Sequence, residues 1–242
     1  QVWDPDTGSP TRELTADERE FTRNEKLMAK FDFRYWHDRY CFMSKDGAVG
    51  GGTGISELWV SQENLLSLLA EIEEQDTKAI SEGYPVFGSR IADHKARQLG
   101  HTHISRALCM HRLTLWSSTR AMAASVDDDK IMELFDRDKL ILDNLPWWLK
   151  PSMEKGKFFE NKNEHMNWKT LNNRILYQQS NQQSGLGQGR QFEVAHLTEC
   201  SSFPYPKMIE IDFAPTLPDA VTTLCILEST APRRGDWWHD FT

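Results

Sequence analysis

Long apolar runs are what this 242-residue sequence most clearly lacks. No stretch approaches the roughly 20 apolar residues needed to cross a bilayer, and the opening QVWDPDTGSP has no charged segment leading into an apolar one, as a secretory signal requires. The expectation is a soluble protein with no membrane association. Cysteine is scarce: Cys41, Cys109, Cys200 and Cys225 lie far apart with no C-x-x-C spacing, which argues against a zinc site and a disulfide framework and for reduced thiols in a cytoplasmic setting. Positive charge is in deficit, with 28 Lys and Arg against 36 Asp and Glu and a net charge of −8. Such a balance does not furnish the broad basic surface that holds nucleic acid by phosphate neutralisation, so any grip on DNA is local, transient or shared between subunits. The eight histidines include the pair His101 and His103, but there is no H-E-x-x-H and no second ligand cluster, and they read as solvated or loop side chains. There is no internal repeat. The start at Gln1 and the stop at Thr242, soon after an apolar run, are what a piece of a longer polypeptide would show.

What is present is an apolar fraction of 39%, enough for the core of one sizeable α/β domain or two small ones. Residues 1–30 are charged, with little apolar periodicity beyond Phe21, Leu27 and Met28, and suit a surface helix or partly ordered arm. The rings of Phe31, Phe33, Tyr35, Trp36, Tyr40 and Phe42 read as packing surface, an adenine platform being the alternative. A glycine-rich flexible loop follows over 47–54. From Ser61, SQENLLSLLAEIEEQ reads as a capped amphipathic helix. A turn at Pro85 and Gly88, a short strand within 86–92 and a helix from Thr102 come next. Residues 120–126 look like a buried strand, and DDDKIMELFDRDKLILDNL like a helix whose acidic start suits its positive end and which stops at Pro146. Strand candidates at 174–178 and 192–198 flank QSNQQSGLGQGRQ, a loop that is either a plain linker or a DNA contact. A last apolar run covers 222–227. Strands alternating with helices predict a mostly parallel sheet with helices on both faces, carried by residues 61–242, with residues 1–60 as a helical and aromatic arm packed on it.

The chemistry is concentrated in KARQLGHT, residues 95–102. A P-loop, G-x-x-x-x-G-K-[ST], wraps phosphates in backbone N–H groups, neutralises the β/γ oxygens with its lysine and binds Mg²⁺ through its hydroxyl. Gly100 and Thr102 keep their places, His101 stands where the lysine belongs, and Lys95 stands where the first glycine belongs. Because the loop folds back on itself, an ammonium group at its start can reach the same oxygens, and Arg97 adds a permanently charged donor. Downstream, VAHLTEC is an apolar strand ending in Glu199, a carboxylate in position to orient and activate water, while Thr198 stands where an aspartate would assist the metal.

These residues carry a resemblance. KARQLGHT resembles the variant Walker A motif of the large terminase subunits of tailed phages, with its lysine displaced to the start of the loop and an arginine inside it. VAHLTECSSFP resembles their Walker B strand, SQENLL their upstream glutamine motif, ILESTA their coupling motif, and DNLPWWLKP a segment after the second helix. The resemblance spans residues 31–242 and implies a P-loop NTPase of the RecA/ASCE type, with ATP and Mg²⁺ as cofactors. It implies a nucleotide cradle of Lys95, Ala96, Arg97, Gln98, Leu99, Gly100, His101 and Thr102, with Lys95 and Arg97 on the phosphates. Thr102, with Glu199 beside it, takes the metal; Glu199 activates water, Gln62 reads adenine, and Ser229 and Thr230 sense the γ-phosphate. The implied activity is ATP hydrolysis that drives viral double-stranded DNA into a procapsid in the host cytoplasm. The implied partners are DNA, the portal protein and the small terminase subunit, in a homo-oligomeric ring, a pentamer on the capsid, with a monomer possible in isolation. Arg112, Arg120, Arg174 and Arg190 are available to act in a neighbouring subunit. The nuclease domain of such proteins is not expected here. Another P-loop translocase or helicase, or a catalytically weak nucleotide-binding scaffold for the portal or small subunit, stays open.

Overall fold

A computed structural model describes residues 3–4, 9–44, 53–55, 57–151, 165–168, 171–180, 185–230 and 237–241. Its elements in chain order are β1 (Trp3–Asp4), β2 (Ser9–Pro10), α1 (Ala16–Phe31), α2 (Phe33–Tyr40), β3 (Phe42–Ser44), β4 (Thr53–Ile55), α3 (Val60–Ser81), β5 (Ser89–His94), α4 (His101–Leu115) and β6 (Arg120–Ser125). There follow α5 (Asp128–Asn144), β7 (His165–Trp168), β8 (Asn173–Gln179), β9 (Val194–Thr198), β10 (Leu224–Ser229) and α6 (Trp237–Phe241). Of the glycine-rich segment, residues 47–52 lie outside the described residues, while Thr53 and Gly54 belong to β4, which pairs antiparallel with β3. Residues 181–184 of the glutamine-rich loop also lie outside them.

Six strands form the central sheet in the order β5-β10-β9-β6-β8-β7. All neighbours are parallel except the edge strand β7, which runs antiparallel to β8. The composition of each strand matches its place. β6, RAMAAS, is apolar and buried from its second residue on, as a strand covered on both faces must be. β5 sits at the other edge of the sheet and alternates buried and exposed at its start. Parallel strands need crossovers: α4 carries the chain from β5 to β6, three places along the sheet, and α5 lies on the connection from β6 towards its parallel neighbour β8. α5 is capped by Asp127, whose carboxylate accepts the Lys130 N–H at 2.9 Å, and Asp128 and Asp129 then occupy its first turn, where the helix dipole favours negative charge.

Alternation along β6 separates two cores. Ala121 and Ala123 face a cluster with Ile104, Leu108 and Leu113 of α4 and Leu134 and Ile141 of α5. Met122 and Ala124 face a second cluster with Phe203, Met208, Ile209, Phe213 and Trp238, drawn from short 3-10 and π turns between Cys200 and Thr216 and from α6. The amino-terminal helices join the first cluster through Ala29 and Trp36. They are held there by His111 of α4, whose Nε2 donates to the Ala29 carbonyl at 2.8 Å while Phe33 and Trp36 pack edge-on to its ring. The helix predicted from Ser61 begins at Val60, and its start is tied by the Gln62 side-chain oxygen accepting the Trp59 N–H at 2.8 Å instead of by a serine cap. Among the described residues no helix is long and apolar enough to cross a membrane.

Candidate functional site

The segment 95–100 joins the carboxyl end of β5 to the start of α4. Gly100 holds φ = 68°, a left-handed turn that favours glycine, and a Cβ there would lie 2.5 Å from the Gln62 Nε2 and push that side chain aside. The helix has no side-chain cap at Gly100, and its first amides remain available to an anion. The loop is braced from outside: Gln62 Nε2 donates to the Gly100 carbonyl at 2.8 Å and Ser61 Oγ to the Leu99 carbonyl at 3.3 Å. With its oxygen on Trp59, the Gln62 amide keeps one N–H for another acceptor.

Lys95 turns back across the loop. Its Nζ donates to Thr102 Oγ1 at 2.9 Å and lies 3.2 Å from Glu228 Oε1, with the side chain only 9% exposed. Ala96, Arg97 and Gln98 are exposed, and Gln98 has a positive φ of 64°. His101, in the usual lysine position, instead donates from Nδ1 to Asp93 of β5 at 2.5 Å. Thr102 donates to Glu228 Oε1, also at 2.5 Å.

β9 and β5 are separated only by β10, so with strands spaced about 4.8 Å apart their ends lie about 10 Å from each other on the same edge. Glu199 follows β9 directly, half-buried, with φ = 57° and ψ = 36°. A left-handed glutamate costs on the order of 1 kcal/mol, and strain of this kind gathers at functional sites. Just beyond it, the Ser201 N–H donates to Ser229 Oγ at 3.0 Å, and Ser201 Oγ donates to the Thr230 carbonyl at 3.0 Å. The Ser229 carbonyl in turn accepts the Lys95 N–H at 3.1 Å. Ser229 therefore links the start of the loop to the turn after Glu199.

Across 88% of its length the chain is similar to the crystal structure of the HK97 bacteriophage large terminase, at a TM-score of 0.60 and 14% identity. The chain shares that terminase's fold. It spans 39% of the length of the HK97 protein. Two structures of the ATPase domain of the Thermus phage P74-26 large terminase, one of them a point mutant, are similar over 63% of this chain and 63% of theirs, at TM-scores of 0.44 and 0.41 and identities of 13% and 11%. No family model matches the chain, and no curated protein matches its sequence.

Within this terminase fold the side chain at the centre of the loop's contacts is one that sequence reasoning passed over. Glu228 of β10, wholly buried, stands in register with Asp93 on one side and Thr198 on the other. Its Oε1 accepts from Thr102 and, at 2.7 Å, from Thr198 Oγ1, with His196 Nε2 3.3 Å away. Burial acts to raise its carboxyl, but His196, Lys95 and the Thr102 hydroxyl outweigh burial and hold it below the usual carboxylate range. The available signal was a glutamate closing an otherwise apolar central strand, LCILES, where a charge is expensive unless it is paired. No group of three or more His, Cys, Asp or Glu that could hold a metal occurs among the described residues; a Mg²⁺ site built from one hydroxyl, one or two carboxylates and nucleotide phosphates needs none. Arg120, Arg174 and Arg190 share a cleft at the opposite edge of the sheet, where β6 and β8 begin.

Proposed function

We propose that the chain is a P-loop ATPase that drives viral double-stranded DNA into a procapsid, the motor part of a large terminase. The observation that carries this reading is the meeting of Lys95 and Thr102 over a free helix N-terminus, with Glu199 on the same sheet edge. The amides at the start of α4 accept phosphate oxygens. Lys95 exchanges its contact with Thr102 for the β/γ oxygens, and exposed Arg97 adds a fixed charge. The remaining N–H of Gln62 reads adenine. Mg²⁺, held by Thr102 with Glu199 nearby, supplies neutralisation of the charge on the phosphates. Glu199 orients and deprotonates the attacking water, an effect worth roughly two to four orders of magnitude.

Ser229 and Thr230 respond to loss of the γ-phosphate, because their contacts run to both Lys95 and Ser201. In this reading the partners are DNA, the portal and the small terminase subunit, and the working form is a ring of subunits in the host cytoplasm. The decisive experiment is Glu199→Gln. ATP binding stays within a few-fold of wild type while phosphate release falls about 100- to 10,000-fold. Full hydrolysis by the variant removes Glu199 as the base. A wild-type protein that binds no nucleotide overturns the ATPase reading altogether, and phosphate release unaffected by double-stranded DNA removes the coupling to translocation.

A further inference from the structure

We propose that Glu228 is the carboxylate of the Mg²⁺ site, acting from β10 in the role for which β9 carries Thr198 instead of an aspartate. The inference rests on the ATPase reading above. P-loop enzymes hold the metal with the loop hydroxyl and an acidic residue on the strand that leads to the catalytic glutamate. Here that strand ends VAHLT, and its hydroxyl residue gives its proton away: Thr198 Oγ1 donates to Glu228 Oε1 at 2.7 Å. The loop hydroxyl of Thr102 donates to the same oxygen. One carboxylate thus gathers both the residue expected to bind the metal and the residue that replaces the expected acid.

The sheet order explains how. β10 lies between β5 and β9, so a side chain at 228 starts one strand nearer the loop than a side chain at 198. The second oxygen gives the independent evidence. Glu228 Oε2 is buried and has no hydrogen-bond partner among the described residues, although the side chain is fully enclosed. A buried carboxylate oxygen with nothing to accept is costly and calls for a ligand. Water bound to Mg²⁺ is a strong donor of the kind it needs, since the ion keeps several waters in its shell. Lys95, 3.2 Å from Oε1, holds the charge in check and is released when a metal and a triphosphate arrive together.

The test is titration of a fluorescent ATP analogue with and without Mg²⁺, with thermal unfolding as a check on folding. In Glu228→Gln, metal-free affinity does not fall, because a negative charge beside the loop has been removed. The tightening produced by Mg²⁺ shrinks about 10- to 100-fold, the usual effect of losing a carboxylate around a metal. The exchange Thr198→Asp/Glu228→Thr, which moves the acid across the same contact, restores the Mg²⁺ response. Tightening of Glu228→Gln by Mg²⁺ equal to that of wild type, or a folded exchange variant that does not respond, overturns the proposal.

Should the variants at 228 fail to fold, the Glu199→Gln protein carrying ¹³C-carboxyl glutamate is loaded with Mn²⁺ and ADP. A pulsed-EPR coupling to ¹³C is expected from the remaining glutamate at the site, and its absence overturns the proposal. If wild type binds no analogue under any condition, the ATPase reading fails, an outcome distinct from failure of the metal assignment.

Discussion

Arg106 and Asp138 form an ion pair with neither side chain exposed to solvent. Arg106 Nε donates to Oδ1 at 2.9 Å, Nη2 donates to Oδ2, and the Tyr177 hydroxyl adds a bond to Oδ2 at 2.6 Å. This network ties α4, whose first turn carries Thr102, to α5 and β8. Arg106→Met keeps most of the packing but leaves a buried carboxylate with the Tyr177 hydroxyl as its one remaining partner from this network. Breaking such a pair costs about 3–5 kcal/mol, because the desolvation of the orphaned charge is no longer offset. At about 2–4 °C per kcal/mol for a chain of this size, the melting temperature falls by about 6–20 °C. The triple change Arg106→Met/Asp138→Leu/Tyr177→Phe removes the guanidinium, the carboxylate and the hydroxyl together and recovers most of the loss, leaving only the His196 Nδ1, 3.4 Å from Arg106 Nη1 in the native protein, without its partner. Scanning calorimetry with urea denaturation measures both. A loss under about 1 kcal/mol in the single variant, or a triple variant worse than the single, refutes the reasoning.

Two further outcomes bear on the site and its support. Lys95→Ala weakens nucleotide affinity or turnover at least about tenfold more than His101→Ala, because Lys95 contacts Thr102 whereas His101 is turned to Asp93; the opposite ranking in a nucleotide titration defeats the displaced-lysine idea. Burial pushes the His111 imidazole down to about 4, so between pH 6.5 and 4 the unfolded chain takes up a proton that the folded one refuses, and stability falls as pH falls. The contribution is about 2 kcal/mol between pH 6.5 and 5. Urea midpoints for wild type and His111→Gln should therefore converge as the buffer is made more acid; parallel pH profiles would count against the assignment.

The sequence by itself determined the alternation of elements, since the apolar runs at 120–126 and 222–227 and the periodicity from Thr102 are local signals of strand and helix. It also held the loop's chemistry in plain order, a cation at 95, a glycine at 100 and a hydroxyl at 102. What it could not hold is adjacency. Gln62 meets Gly100 across 38 residues, and Thr102 meets Glu228 across 126. Both contacts exist because packing of α3 against β5 and α4, and of β10 between β5 and β9, selects one strand order from many that the same local patterns permit. Read along the chain, Glu228 is an acid at the end of a strand and Thr198 a missing aspartate. Only the tertiary structure places the two side by side, because register across a parallel sheet is set by long-range burial and not by neighbours in sequence.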